Sequence, residues 1–251
     1  MTEIKGFTTL SAPAQALAER LGITPAELAE ARERTQRKYW ECRNGLHIWE
    51  ANSGHLCAGP CTCQGRDPWA LRLEKQQRQL GEYTWEKFEK DWQPGAWVLA
   101  ERIRRTWECG AYMHGPTGTG KTHLAKALAM EATKAHKTSS FIHAAGLARF
   151  FAQSQGHDEE AGRAADQLDG LSRADVVVID DLGSQRQTAS HVFEEQLLVF
   201  LETFQGVLLV TTNLGGKDML QVVGEKSLSR IAGRCAELRF QGEDRRGRAA
   251  L

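Results

Sequence analysis

Along the second half of the chain the apolar residues fall into two alternating patterns, short aliphatic runs and stretches with helical spacing. From about Trp107 these alternate in the order that builds a sheet covered on both faces by helices, which predicts an α/β fold with a parallel sheet. Gly110 to His114 reads as one strand and Ser139 to His143 as another, followed by apolar-periodic helix from Leu147 to Phe151. Val176 to Ile179 is an unbroken aliphatic run of the length and β-branched character of a buried strand. Phe193, Leu197, Phe200, Leu201 and Phe204 recur at helical spacing, and Val207 to Val210 returns to strand. Leu228 to Arg234 looks helical, and Ala236 to Phe240 strand-like.

The first half is patterned differently. Residues 12 to 40 predict two helices, Pro13 to Arg20 and Pro25 to about Tyr39, separated by Leu21-Gly22-Ile23. Thr24-Pro25-Ala26-Glu27 supplies a capping box with proline at the first helical position. The string superficially resembles a helix-turn-helix, but its second helix carries Glu27, Glu30 and Glu33, which disfavours contact with phosphates; a helical hairpin for packing or partner docking is preferred. With 251 residues and 41% hydrophobic content, the chain has room for one large α/β domain and a smaller appendage. The expected division is an amino-terminal helical and metal-binding domain at 1–80, a linker and lead-in helix at 81–106, and the α/β domain at 107–251.

Candidate chemistry concentrates where the first predicted strand meets the next helix. Gly115-Pro116-Thr117-Gly118-Thr119-Gly120-Lys121-Thr122 has the spelling GxxxxGK[ST], which makes a triphosphate cradle in that context. Glycines let successive backbone N–H groups curl around phosphate oxygens, and the helix N-terminus adds its positive end. Lys121 would reach the β- and γ-phosphates of ATP or GTP, and Thr122 would place its hydroxyl on Mg²⁺. His123 follows as a first-turn residue of the helix. Leu124, Ala125, Ala127, Leu128 and Ala129 give that helix a small-residue face suited to packing under a sheet.

The aliphatic run at Val176 ends in Asp180-Asp181, at the strand end where open α/β sheets place their ligands. Asp180 is the candidate acid for Mg²⁺, and Asp181 would orient or deprotonate the attacking water. Thr211-Thr212-Asn213 ends the next strand, with Asn213 a candidate sensor of the γ-phosphate or water; a turn-forming asparagine is the alternative. Arg230 is a candidate arginine finger acting on a neighbouring subunit's nucleotide, and Arg246 a candidate sensor of the chain's own nucleotide. Solvated surface arginines are the competing reading of both.

Charge and cysteine content narrow the remaining possibilities. Formal charge balances at 32 basic and 32 acidic residues, so any nucleic-acid contact must come from a local patch. The longest aliphatic runs are strand-sized and the amino terminus lacks a signal-peptide pattern, which points to a soluble cytoplasmic protein. Cys42, Cys57, Cys61 and Cys63 crowd together as Zn²⁺ ligands do, with His47 and His55 as substitutes and unbound cysteines as the plain alternative. Cys109 and Cys235 lie apart and read as packing residues. All seven tryptophans precede the phosphate loop, where packing explains them better than base stacking.

Taken in order, GPTGTGKTHLA (115 to 125), VVVIDDLG (176 to 183), TTNL (211 to 214), SRIAGR (229 to 234) and GEDRR (242 to 246) resemble the bacterial DnaC/DnaI-like helicase loaders and the IstB-like transposition helper ATPases. The similarity covers roughly residues 80 to 248, with Tyr83-Thr84-Trp85-Glu86-Lys87-Phe88 like the aromatic lead-in of these proteins. The resemblance implies an AAA+ P-loop fold, ATP as the nucleotide, self-association through the ATPase domain, and single-stranded or duplex DNA as a ligand. Loaders of the DnaI type carry a zinc-binding amino-terminal domain that docks on a hexameric replicative helicase, which favours the loader over the transposition helper. Asp181 stands where the wider AAA+ class has glutamate, which implies slow hydrolysis or a nucleotide-gated adaptor. Two departures stand out: Phe204 to Val207 lacks an arginine-containing approach to Asn213, and Arg245 occupies a position where an aromatic is frequent.

Overall fold

Aliphatic runs with no polar interruption satisfy both faces of a sheet only when helices cover both, and that is where they lie. The computed structural model describes residues 39–43, 46–50, 56–60, 68–184 and 191–245. The chain divides into two units, Met1–Leu71 and Arg72–Leu251. In the second unit β4 (Gly110–His114), β5 (Ser139–His143), β6 (Val176–Asp180), β7 (Val207–Thr212) and β8 (Cys235–Arg239) form one sheet in the order β5-β6-β7-β4-β8. Every pairing is parallel. Alternate residues of each central strand feed opposite layers: Val176, Val178, Val207 and Leu209 join one buried cluster, and Val177, Ile179, Leu208 and Val210 the other.

Helices α1 (Pro68–Leu80), α2 (Pro94–Thr106) and α3 (Lys121–Lys134) contribute to the first cluster. Leu124, Ala125, Ala127, Leu128 and Ala129 are all fully buried there, so the small-residue face brings the α3 backbone close under the sheet. The second cluster is built by α4 (Ala144–Gln153), α5 (Glu159–Ser172), α6 (His191–Thr203) and α7 (Gly216–Arg234). Helix α7 is kinked at Gly224, whose φ of 75° no ordinary helix residue adopts. Helix α5 was not anticipated. Its start is set by Asp158, whose carboxylate accepts from Ala161 N at 2.8 Å, with Glu159 and Glu160 in the first turn. Among the described residues no helix is long and apolar enough to cross a membrane.

The α6–β7 connection is short and heavily fastened. Arg234, near the end of α7, donates to Leu201 O and to Gly206 O at 2.9 Å each, and its guanidinium lies over the Phe204 ring. Phe204 in turn stacks on Phe200 with ring centroids 5.4 Å apart. Arg234 is therefore a bridge between two backbone carbonyls on either side of the α6–β7 connection. Cys109 packs with the first cluster and Cys235 with the second, on opposite faces of the sheet. Burial pushes the Cys235 thiol up to about 12.

In the first unit the described strands are β1 (Tyr39–Arg43), β2 (Leu46–Glu50) and β3 (Leu56–Pro60), paired antiparallel in chain order. Arg43 lies opposite Leu46, and the two residues between them in the sequence are Asn-Gly, the pair that favours tight hairpins. The strands follow the segment expected to be helical: Tyr39, placed at about a helix end by its spacing, begins β1. Tyr-Trp and Ile-Trp pairs favour extended backbone, and that preference prevails here. The two helices expected before Tyr39 fall outside the described residues.

Phe204→Ala removes a fully buried ring and the surface on which Arg234 rests. The expected loss is about 3–5 kcal/mol of unfolding free energy, read from the urea midpoint at unchanged slope.

Candidate functional site

The site is built where β4, β5, β6 and β7 end on the same edge of the sheet. Backbone geometry there follows from glycine: Gly115, Gly118 and Gly120 have φ of 139°, 76° and 99°, values that let the loop turn tightly before α3. Gly120 occupies the helix N-cap position, so α3 presents its first N–H groups to the loop. Thr119 Oγ1 donates to Pro116 O at 2.8 Å and ties the loop across its own width. The Lys121 ammonium is buried and donates to Gly115 O at 2.8 Å and Pro116 O at 2.6 Å, which fixes its charge within the curl.

Asp180, the last residue of β6, is the centre of a second group. Its carboxylate is only 2% exposed. Oδ1 accepts from Thr122 Oγ1 at 2.9 Å and from Thr211 Oγ1 at 2.7 Å, while His143 Nδ1 lies 3.1 Å from Oδ2. Thr211 also accepts from Asp181 N at 2.8 Å, so one hydroxyl orients both acids. Asp181 has a left-handed backbone with φ of 56°, which aspartate tolerates better than most residues, and its Oδ1 accepts from Asn213 Nδ2 at 2.8 Å. Leu182 N donates to Thr211 O and Thr212 Oγ1 to Leu182 O, so β7 holds the segment after β6 from both sides.

The structure thus brings Lys121 onto the loop Gly115 to Gly120, and joins Thr122, Asp180, Asp181 and Asn213 through a chain of hydrogen bonds. The sequence reading missed two members of this network, Thr211 and His143. Thr211 stands two residues before Asn213 in the TTNL string, and its hydroxyl is the local signal for it.

Other expected site residues lie elsewhere. Arg230 is on α7 with its guanidinium in an exposed pair with Glu202 at 3.0 Å, outside that network. Arg246 falls outside the described residues, as do Cys61, Cys63 and His55. Cys42 is opposite His47 in the β1–β2 register and Cys57 opposite Trp49 in β2–β3. Among the described residues no group of three or more His, Cys, Asp or Glu side chains forms a metal site.

His123 faces the lead-in segment rather than solvent. Nε2 lies 2.9 Å from Thr84 O, and the ring meets Tyr83 and Phe88 edge-on at 5.3 Å and 5.4 Å. A carbonyl can only accept, so Nε2 carries a proton. Burial first, and then the charges of Lys126 and Lys87, hold its pKa below the ordinary histidine range against the opposing pull of Thr84 O.

The tail after β8 also reaches the phosphate loop. Arg245 N donates to Gly118 O at 3.3 Å, and Asp244 lies so close to Gly118 that a Cβ there would run into its carboxylate. The Arg245 guanidinium lies 3.9 Å from the centroid of the Trp92 ring, and Gln93 exchanges side-chain hydrogen bonds with the Gln241 backbone. The aromatic partner that the tail lacks is supplied by the lead-in segment.

Hard oxygen donors from Thr122 and Asp180 within 2.9 Å of each other suit Mg²⁺, which prefers oxygen ligands. The lysine, the glycine curl and the helix N-terminus suit a polyphosphate.

Comparisons with known proteins agree with that geometry. The family model for IstB-like ATP binding proteins matches residues 110–250. No curated protein matches the sequence significantly. Among solved structures, the DnaC helicase loader is 20% identical, with a TM-score of 0.56 over 65% of this chain and 99% of that one. DnaI is 22% identical, with a TM-score of 0.51 over 67% of this chain and 93% of that one. AMPPCP-bound DnaA from Aquifex aeolicus is 18% identical, with a TM-score of 0.53 over 65% of this chain; only 51% of that chain's length is spanned. The replication initiator DnaA bound to AMPPCP and single-stranded DNA is likewise spanned over 51% of its length. These likenesses are of fold, a parallel five-stranded sheet between helices.

Thr211→Val keeps the shape of the side chain while removing the donor to Asp180 and the acceptor for Asp181 N. The expected cost is about 1–3 kcal/mol of stability, seen as a lowered thermal midpoint.

The family model begins at the first residue of β4, contains the phosphate loop, β6 and β7, and covers more than half of the chain, which therefore belongs to the IstB-like ATP binding protein family.

Proposed function

We propose that this chain is an ATP-hydrolysing switch that loads a hexameric replicative helicase onto single-stranded DNA. The observation that carries the nucleotide part is the 2.9 Å bond between Thr122 Oγ1 and Asp180 Oδ1, which joins the end of the phosphate loop to the end of β6. In this reading Lys121 binds the β- and γ-phosphates, and the backbone N–H groups of Gly115 and of Thr117 to Thr122 cradle them. Thr122 and Asp180 hold Mg²⁺, which when bound neutralises charge on the phosphate oxygens. Asp181 accepts the proton of the attacking water, and Asn213 fixes the carboxylate that does so. Because aspartate is one methylene shorter than glutamate and is already engaged by Asn213, turnover is slow. Arg230 exchanges Glu202 for the γ-phosphate of a neighbouring subunit when copies assemble, and Arg246 contacts the nucleotide of its own chain.

The loader reading is supported by the cysteine-rich segment ahead of the ATPase core, where Cys42, Cys57, Cys61 and Cys63 would hold a structural Zn²⁺ and dock on the helicase. The second reading, delivery of a transposase to duplex DNA, is favoured by the IstB-like family match.

One experiment separates them. The purified chain is mixed with the hexameric helicase of its own cell in ATP, ADP or no nucleotide, alongside Lys121→Ala. The loader reading expects ATP-dependent co-elution that the variant loses by at least tenfold. ATP-dependent assemblies on duplex DNA with no helicase capture would instead establish the transposition reading, and unaltered ATP binding by Lys121→Ala would remove the phosphate-loop assignment. For the cysteines, elemental analysis is expected to find about one zinc per chain, lost on combined Cys61→Ser and Cys63→Ser; folded, metal-free protein defeats that assignment.

A further inference from the structure

We infer that His143 is a positioning residue for the metal-holding carboxylate of Asp180, an inference that rests on the proposed role of Asp180 toward Mg²⁺. The two hydroxyls that reach this carboxylate, from Thr122 and Thr211, both donate to Oδ1, at 2.9 Å and 2.7 Å. Oδ2 is met by His143 Nδ1 at 3.1 Å. The contact is an approach of a ring nitrogen to a carboxylate oxygen, and since a carboxylate only accepts, it is attractive with the proton on Nδ1. With two hydroxyls on Oδ1 and the imidazole against Oδ2, the carboxylate cannot rotate about its last torsion without disturbing these contacts. Oδ1 is thereby kept on Thr122, the residue that with Asp180 would hold Mg²⁺.

The fold prepares this contact. His143 ends β5 and is paired in register with Asp180, the end of β6, so the backbones hold the two side chains at neighbouring positions. Phe141, two residues earlier on the same strand, meets the imidazole edge-on at 5.3 Å and limits its swing. His143 also occupies the N-cap position of α4, where serine, threonine, aspartate or asparagine would normally accept a hydrogen bond from the helix. Its side chain makes no such bond and goes to Asp180 instead. Lys126 approaches from α3 over the Phe141 ring, and Asp180 favours its charged form against burial, so two basic groups from different elements bear on one acid. The imidazole itself is 64% exposed, which makes it dispensable for packing.

The test uses the full chain at one fixed pH. A fluorescent non-hydrolysable ATP analogue is titrated in EDTA and again at a series of Mg²⁺ concentrations, with wild type, His143→Ala, His143→Asn and Asp180→Asn. His143→Ala should leave binding in EDTA within twofold, and raise the Mg²⁺ concentration for half-maximal effect by about tenfold. His143→Asn, whose amide nitrogen is as many bonds from the backbone as Nδ1, should restore the wild-type midpoint within about threefold. Steady-state hydrolysis of His143→Ala should show a fall in kcat with KM little changed at saturating metal. A wild-type Mg²⁺ midpoint in His143→Ala, or an asparagine variant as impaired as alanine, overturns the inference. If Asp180→Asn keeps normal metal dependence, the role of Asp180 fails; if it loses that dependence while His143→Ala does not, only the role of His143 fails.

Discussion

A buried carboxylate shared by four elements is the constraint on which this site depends. Asp180 belongs to β6, accepts from α3 through Thr122, from β7 through Thr211, and meets β5 through His143. Taking an ionised carboxylate out of water costs several kcal/mol unless donors replace the lost hydration. Here two hydroxyl donors and an imidazole at 3.1 Å surround it, each from a different element. The same bonds that offset the cost therefore fix the phosphate helix relative to the sheet. Because β5, β6 and β7 are parallel neighbours, their ends arrive on one edge, and the donors need only short side chains to converge.

The parts of this arrangement that were legible in the sequence are the ones encoded locally. GPTGTGKT contains its own turn chemistry, and its loop geometry depends on glycines within the same eight residues. Val176 to Ile179 and Val207 to Val210 show no period-two pattern, because both faces are buried, and an unbroken aliphatic run is what a central parallel strand requires. Strand limits at Gly110 to His114 and Ser139 to His143 match those read from the pattern. The acids at the end of β6 are recognisable as a pair, since nothing in a buried strand calls for two carboxylates.

What was not legible depends on pairing between distant segments. Nothing local distinguishes Thr211 from Thr212, yet register gives one to Asp180 and the other to Leu182 O. His143 becomes significant only when β5 is known to lie beside β6. Helix α5 was obscured by Gly162 and Gly170, which lower helix propensity, although Ala161, Ala164 and Leu171 bury one face and Asp158 marks the start. The three-stranded sheet was hidden for another reason. Its tryptophans had been assigned to packing and its cysteines to ligands, so the extended preference of Tyr39-Trp40 and Ile48-Trp49 was left unweighed.

The tail after β8 is tied to the lead-in segment by a stacked pair: the Arg245 guanidinium lies over the Trp92 ring, 3.9 Å from its centroid. A planar guanidinium packs closely on an indole face and is drawn to it by the ring's negative face. This places two segments far apart in sequence on the same loop. Phe88 closes on Gly120 from the lead-in, and Asp244 closes on Gly118 from the tail. Gly118 is consequently held to glycine twice, by its φ of 76° and by the carboxylate that a side chain would strike. The phosphate loop is thus braced from both directions, by Phe88 on one side and by Asp244 and Arg245 on the other.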